Sequence, residues 1–149
     1  MMTEFRDLNP TVAEHTKTIK GLMTREELAD LLHISSIALE SRRKRGQLPY
    51  VKVSHKNFRF DPSAIASHFG LEEEITINEK IPTLMTIKEV AYFLAVTEAT
   101  VRGLIKTHAI KTTKISSHSI RIKGSHLKAF IRANSVNVNE TEHILGASA

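Results

Sequence analysis

The chain has 149 residues, a formal net charge of +5 and no cysteine. That length suits one or two small domains, and the missing thiols exclude disulfides, thiolate zinc sites and cysteine nucleophiles while fitting a reducing cytoplasm. No apolar run approaches the ~20 residues needed to cross a bilayer, and the N-terminus, Met1-Met2-Thr3-Glu4-Phe5-Arg6-Asp7, lacks the apolar core of a signal peptide.

In chain order, residues 1–20 read as a charge-balanced arm, with residues 14–22 a short strand. Thr24-Arg25-Glu26-Glu27 is a capping box, so a helix starts there. Leu28, Ala29 and Leu32 fall on one face of it. The turn His33-Ile34-Ser35 follows, with Ile34 as an apolar plug and Ser35 or Ser36 as N-cap of a second helix running to Arg45. Gly46 suits the position just past its end. Val51-Lys52-Val53 and Phe58-Arg59-Phe60 then flank the polar turn Ser54-His55-Lys56-Asn57, which reads as a hairpin. Asp61-Pro62-Ser63 opens a third helix, with Ile65 and Phe69 facing inward. Ile75-Thr76-Ile77-Asn78 could be another strand, in an otherwise acidic linker containing Glu72-Glu73-Glu74.

The same order then returns. Residues 23–69 align without a gap to residues 85–131, with ten identities in 47 positions, among them Met23-Thr24 with Met85-Thr86, Glu27 with Glu89 and Arg59 with Arg121. The second capping box is Thr86-Ile87-Lys88-Glu89, and Val90, Ala91 and Leu94 repeat the inner face. Ala95-Val96-Thr97 is the second turn, and a helix over Glu98 to Thr107 follows, its end less sharply specified because His108 replaces Gly46. Thr113-Lys114-Ile115 and Ile120-Arg121-Ile122 form the second hairpin around Ser116-Ser117-His118-Ser119, and Ser125 starts a closing helix with Leu127, Phe130 and Ile131. A repeat of this length is one supersecondary unit, and two short helices joined by a tight turn are a helix-turn-helix, with the hairpin as a wing.

The expected organisation is an arm at 1–20, a module at 21–70, an acidic linker at 71–82, a module at 83–132 and a mobile tail at 133–149. Positive charge sits on the modules: residues 83–132 hold nine basic and two acidic groups, whereas residues 70–82 hold one basic and four acidic. A basic folded module is the footprint of a polyanionic partner, though solvated surface lysines would leave the same trace.

The string from Met85 to Arg102, together with Gly46-Gln47-Leu48-Pro49 and Arg59-Phe60 of the first copy, resembles an excisionase or MerR-like winged-helix domain. Copy one departs from that pattern at Ala38 and Glu40, and copy two has Leu104-Ile105 where copy one has Arg42-Arg43, so the two second helices should read different bases. Only seventeen residues follow Arg132, so the dimerisation helix and effector site of a ligand-sensing MerR regulator are not expected. Two such modules in a small protein also resemble the TraN-type DNA-binding proteins of Gram-positive conjugative plasmids.

DNA binding needs cations for phosphates and short polar or forked side chains for base edges. The candidates are Ser35, Ser36, Arg42 and Arg43 in the first module and Thr97, Thr100, Arg102 and Lys106 in the second, with Lys56, Arg59, His118 and Arg121 on the hairpins. Arg59 and Arg121 read as phosphate clamps beside the hairpins, with a structural cross-strand role as the alternative. His108, His118 and His126 have no zinc-ligand spacing, and no phosphate loop or nucleophile elbow is present, so neither metal, cofactor nor enzymatic activity is expected.

The fold expected is α+β: two winged helix-turn-helix modules in an internal pseudo-dimer with pseudo-twofold symmetry, joined through a central antiparallel sheet. The chain would bind double-stranded DNA as a cytoplasmic monomer away from any membrane, at an asymmetric site whose half-sites lie one or two turns apart. A role beside a relaxase or recombinase in plasmid transfer or site-specific recombination is the leading expectation. A small repressor and a protein-interaction module are the alternatives.

Overall fold

The computed structural model of the chain describes residues 17–19, 21–77 and 81–138. The expected arm residues 1–16 and tail residues 139–149 lie outside them. Strand β1 (Lys17–Ile19) is followed by helices α1 (Arg25–Leu32) and α2 (Ser36–Lys44), the hairpin β2 (Tyr50–Ser54) and β3 (Asn57–Arg59), and helix α3 (Pro62–Phe69). Strands β4 (Ile75–Ile77) and β5 (Leu84–Met85) lead into α4 (Ile87–Leu94), α5 (Glu98–Lys106), the hairpin β6 (Thr113–Ser116) and β7 (Ser119–Lys123), α6 (Gly124–Ala133) and β8 (Ser135–Val136). Helices α4, α5 and α6 start 62 residues after α1, α2 and α3 respectively.

Local chemistry sets these boundaries. In both capping boxes the threonine hydroxyl accepts from the glutamate N–H at 3.1 Å, and the glutamate carboxylate accepts from the threonine N–H at 2.8 Å. Each first helix ends in a left-handed residue, His33 with φ 57° and Ala95 with φ 58°. The next N–H, of Ile34 or Val96, bonds back to Ala29 or Ala91 at 3.0 Å, which is a Schellman closure. The second helices close alike, at Gly46 with φ 74° and at His108 with φ 64°. His108 thus ends its helix as sharply as Gly46 does, contrary to the sequence expectation. The bonds from the His108 N–H to Ile105 and from Ala109 to Leu104 hold a backbone that histidine does not favour.

Two further expectations need correction. Helix α6 begins at Gly124 and not at Ser125, with Lys123 at the N-cap and no side-chain capping bond. Phe69 is exposed, because α3 turns Ile65 and Ala66 inward.

The chain buries two clusters. One belongs to the first module: Met23, Leu28, Ala29, Leu39, Leu48, Phe60 and Ile65. The other holds second-module residues such as Val90, Leu94, Val101, Ile122 and Leu127, but also Leu22, Val51 and Val53 from the first. One face of the first hairpin is therefore part of the second module's core.

The modules meet head to tail, and the expected pseudo-twofold is absent from their contacts. A twofold gives every contact a mate with the partners exchanged. The Leu22 N–H donates to the Phe93 carbonyl at 2.9 Å, yet Leu84 makes no such bond to Leu31. Strand β8 covers the outer edge of β2, whereas the outer edge of β6 has no strand partner among the described residues. Sequence divergence supplies the reason. Thr113 and Ile115 stand where Val51 and Val53 stand, and Thr83 stands where Gly21 stands. A Cβ on Gly21 would lie 2.6 Å from the Phe93 carbonyl oxygen, so only the glycine lets the chains approach.

The joining sheet also differs from expectation. Strands β1 and β4 pair with each other, in parallel, and not with the hairpins. The hairpin edges are already occupied: β8 lies on β2, and Phe60 just beyond β3 bridges to Met23. The only sheet to span both modules among the described residues is β3-β2-β8. Residues 135–136, expected in a mobile tail, are its third strand.

Candidate nucleic-acid interface

Each second helix hides one side and exposes the other. In α2, Leu39 and Arg43 point inward, and Ile37, Ala38, Ser41, Arg42, Lys44 and Arg45 are exposed. In α5, Val101 is buried and Ala99, Arg102, Gly103 and Lys106 are exposed. The exposed stripe follows from the inner residues recurring every three or four positions. Ser35 and Thr97 cap these helices: Ser35 Oγ accepts from the Ala38 N–H at 3.1 Å, and Thr97 Oγ1 from the Thr100 N–H at 3.2 Å. The Thr97 and Thr100 hydroxyls are 3.0 Å apart. Ser36 and Thr100 are half-buried. These hydroxyls sit at the positive ends of the helix dipoles, where an anion is favoured.

Arg43 lies elsewhere than the sequence reading placed it. Its side chain is 8% exposed and makes two bonds to Glu40, Nε to Oε1 at 2.9 Å and Nη2 to Oε2 at 2.7 Å. Its guanidinium carbon stands 3.8 Å from the centre of the Phe58 ring and 4.9 Å from that of Tyr50. This clamp fixes α2 against the first hairpin and turns the head away from solvent. The hydrogen-bonded Arg43 guanidinium holds the Glu40 carboxyl below its ordinary value, and Glu40 raises that of Arg43. The second module has Arg102, Ile105, Thr112 and Ile120 at the matching positions, so no clamp forms. There Arg102 meets Glu98 at 3.7 Å on the surface, and its side chain is 62% exposed.

Arg59 takes a structural role, the alternative the sequence left open for it. It reaches across to the second module, donating from Nη2 to the Ala95 carbonyl at 2.6 Å and from Nε to the Leu94 and Ala95 carbonyls at 3.2 Å. Burial pulls its guanidinium below the ordinary value, while Glu26 and Glu27 push it back; it stays charged. Arg121, at the matching place, bonds through Nη1 to the carbonyl of its own neighbour Ile120 at 2.8 Å. The hairpin tips carry Lys56 and His118, both exposed, and Lys52 and Lys114 are exposed on the strands.

The exposed cations of the second helices and hairpins therefore include Arg42, Lys44, Arg45, Lys52 and Lys56 in the first module and Arg102, Lys106 and Lys114 in the second, with His118 exposed at the second tip. Lys44 and Arg45 were not among the candidate contacts, nor was Ile37, which is 83% exposed. The signal was present: Leu39 and Arg43 are one turn apart, which places Ile37, Ser41 and Lys44 together on the far side.

Residues 84–135 match the family model described as a helix-turn-helix domain. No curated protein and no solved structure matches the chain. The second module is thus a helix-turn-helix domain, of a kind that binds double-stranded DNA. Among the described residues no helix is long and apolar enough to cross a membrane.

Proposed function

We propose that the chain binds double-stranded DNA with α2 and α5 together, each in the major groove of one half-site. The observation that carries this reading is that both helices bury one face and present the other, cationic, to solvent. The residues on these faces differ between the two: the exposed Ile37, Ala38, Ser41 and Arg42 stand where Ala99 and Gly103 are exposed and Thr100 and Leu104 half-buried. Unequal helices read unequal half-sites, so the target is asymmetric. The head-to-tail relation of the modules favours half-sites repeated in one direction over an inverted repeat.

On this reading the chain is an accessory factor that shapes DNA for a relaxase or recombinase in plasmid transfer or site-specific recombination. Footprinting on the DNA around its own gene tests this: protection beside a transfer origin or attachment site supports it, and protection over a promoter alone supports repression instead. At the residue level, Arg42→Ala or Arg102→Ala should weaken the preferred site by about tenfold or more and random duplex far less. Lys56→Ala and Lys114→Ala should weaken both alike and each lower the salt slope by about one. Equal losses on every sequence from all four variants would show that α2 and α5 do not read bases.

A further inference from the structure

The contact between the modules is open at both ends. On the giving side the first hairpin uses Val51, Val53 and Arg59, with its outer edge covered by β8. The second hairpin offers Thr113, Ile115 and Arg121 at the same places. No strand of the described chain covers this edge: Ile115 is 55% exposed, Thr113 and Arg121 are half-buried, and the Arg121 side chain bonds only to the carbonyl of its own neighbour Ile120. An uncovered edge carrying an apolar residue is a pairing surface.

On the receiving side, the second module presents the carbonyls of Phe93, Leu94 and Ala95 around the left-handed end of α4. The first module has the same left-handed end at His33. Its carbonyls at Leu31, Leu32 and His33 take no such donor among the described residues. Charge also matches. At the offset that sets β8 on β2, the segment after α3 supplies Glu73-Glu74, both exposed, and β6 with its approach carries Lys111 and Lys114, also exposed.

We infer that a second copy of this chain docks on these surfaces, the second hairpin of one copy against the first module of the next. The contact repeats the internal one, so copies add head to tail and each added copy leaves the next surface to be filled. Thr113 in place of Val51 makes this contact less apolar than the internal one, so association between copies is weaker and falls with added salt.

The full chain lacks cysteine, so introduced thiols report the contact without DNA and independently of the DNA-binding reading. Asn57 lies beside the head of Arg59 and matches Ser119, and Ala95 matches His33. A chain with Ser119→Cys and His33→Cys, treated with a short bismaleimide, should give a ladder of dimers, trimers and higher species. Each single variant should stop at dimers. Adding Ile115→Asp or Arg121→Ala should lower the ladder about tenfold, the loss of one charged or apolar anchor. Ile115→Asp is exposed and leaves the fold intact by circular dichroism. Should His33→Cys disturb α1, Asp30→Cys on the exposed side of the same turn replaces it. A double variant that forms no ladder, or a ladder that neither added substitution changes, would overturn the proposal.

Discussion

The two hairpins share a pairing register, a bulge and an arginine, yet they do different work. The first buries Val51 and Val53 in the other module and spends Arg59 on the end of α4. The second leaves Ile115 exposed and Thr113 and Arg121 half-buried, with no bond from Arg121 to the other module. A parallel difference separates the second helices: the Arg43 clamp braces α2 against its hairpin, whereas α5 has only the surface pair Arg102–Glu98. Duplicated units with one local fold have thus diverged into a braced module and an open one. The difference resides in a few side chains, since the helices and hairpins correspond.

Several substitutions sharpen or break that comparison. The largest effect is expected from Val51→Asp, which places an unpaired charge in the second module's core; stability should fall by at least about 3 kcal/mol. The matched Ile115→Asp should change it by less than about 0.5 kcal/mol, and urea unfolding of both variants measures the gap. Similar losses at both sites would mean that the hairpins are equally buried in solution.

Next is Arg59→Met, which removes the donors to Leu94 and Ala95 and should cost about 1.5–3 kcal/mol. Arg121→Met should shift thermal unfolding of the free chain little. The order of the two melting temperatures is the decisive reading.

The clamp gives a pH-dependent contrast. The Glu40 carboxyl lies below its ordinary value of 4.5 in the folded chain because Arg43 bonds to its charged form. A carboxylate depressed in this way stabilises the fold above its unfolded pKa and loses that contribution as pH falls through the folded value. Glu40→Gln should therefore cost about 1–2 kcal/mol at neutral pH, with the cost shrinking below about pH 4. Glu98→Gln should cost less than about 0.5 kcal/mol throughout, since its pair is exposed. Denaturant titrations at pH 7 and pH 3 distinguish the two.

The smallest effects lie at the helix ends. His108→Gly should gain about 0.5–1 kcal/mol by relieving the left-handed strain, and Gly46→Ala should lose about 1 kcal/mol by creating it. Opposite signs in calorimetry would show that one backbone geometry is enforced in both modules despite different residues.

The sequence alone determined what depends on near neighbours. Thr24 with Glu27 and Thr86 with Glu89 set the helix starts because the bonds span three residues, and the apolar spacing fixed the inward faces of the first helix of each module. The repeat made the second set of elements legible from the first, and the cationic exposed faces of α2 and α5 followed. Only the tertiary structure decided which arginines are free. Arg43 is held through a hairpin that approaches it by folding, and Arg59 binds a carbonyl 36 residues away. The relation between the modules was equally hidden, since Gly21, Val51 and Val53 acquire their meaning from Phe93 and the second core. Local hydrogen bonds and periodicity are written in adjacent letters, but the surroundings of a side chain are set by residues the chain brings together only when it folds.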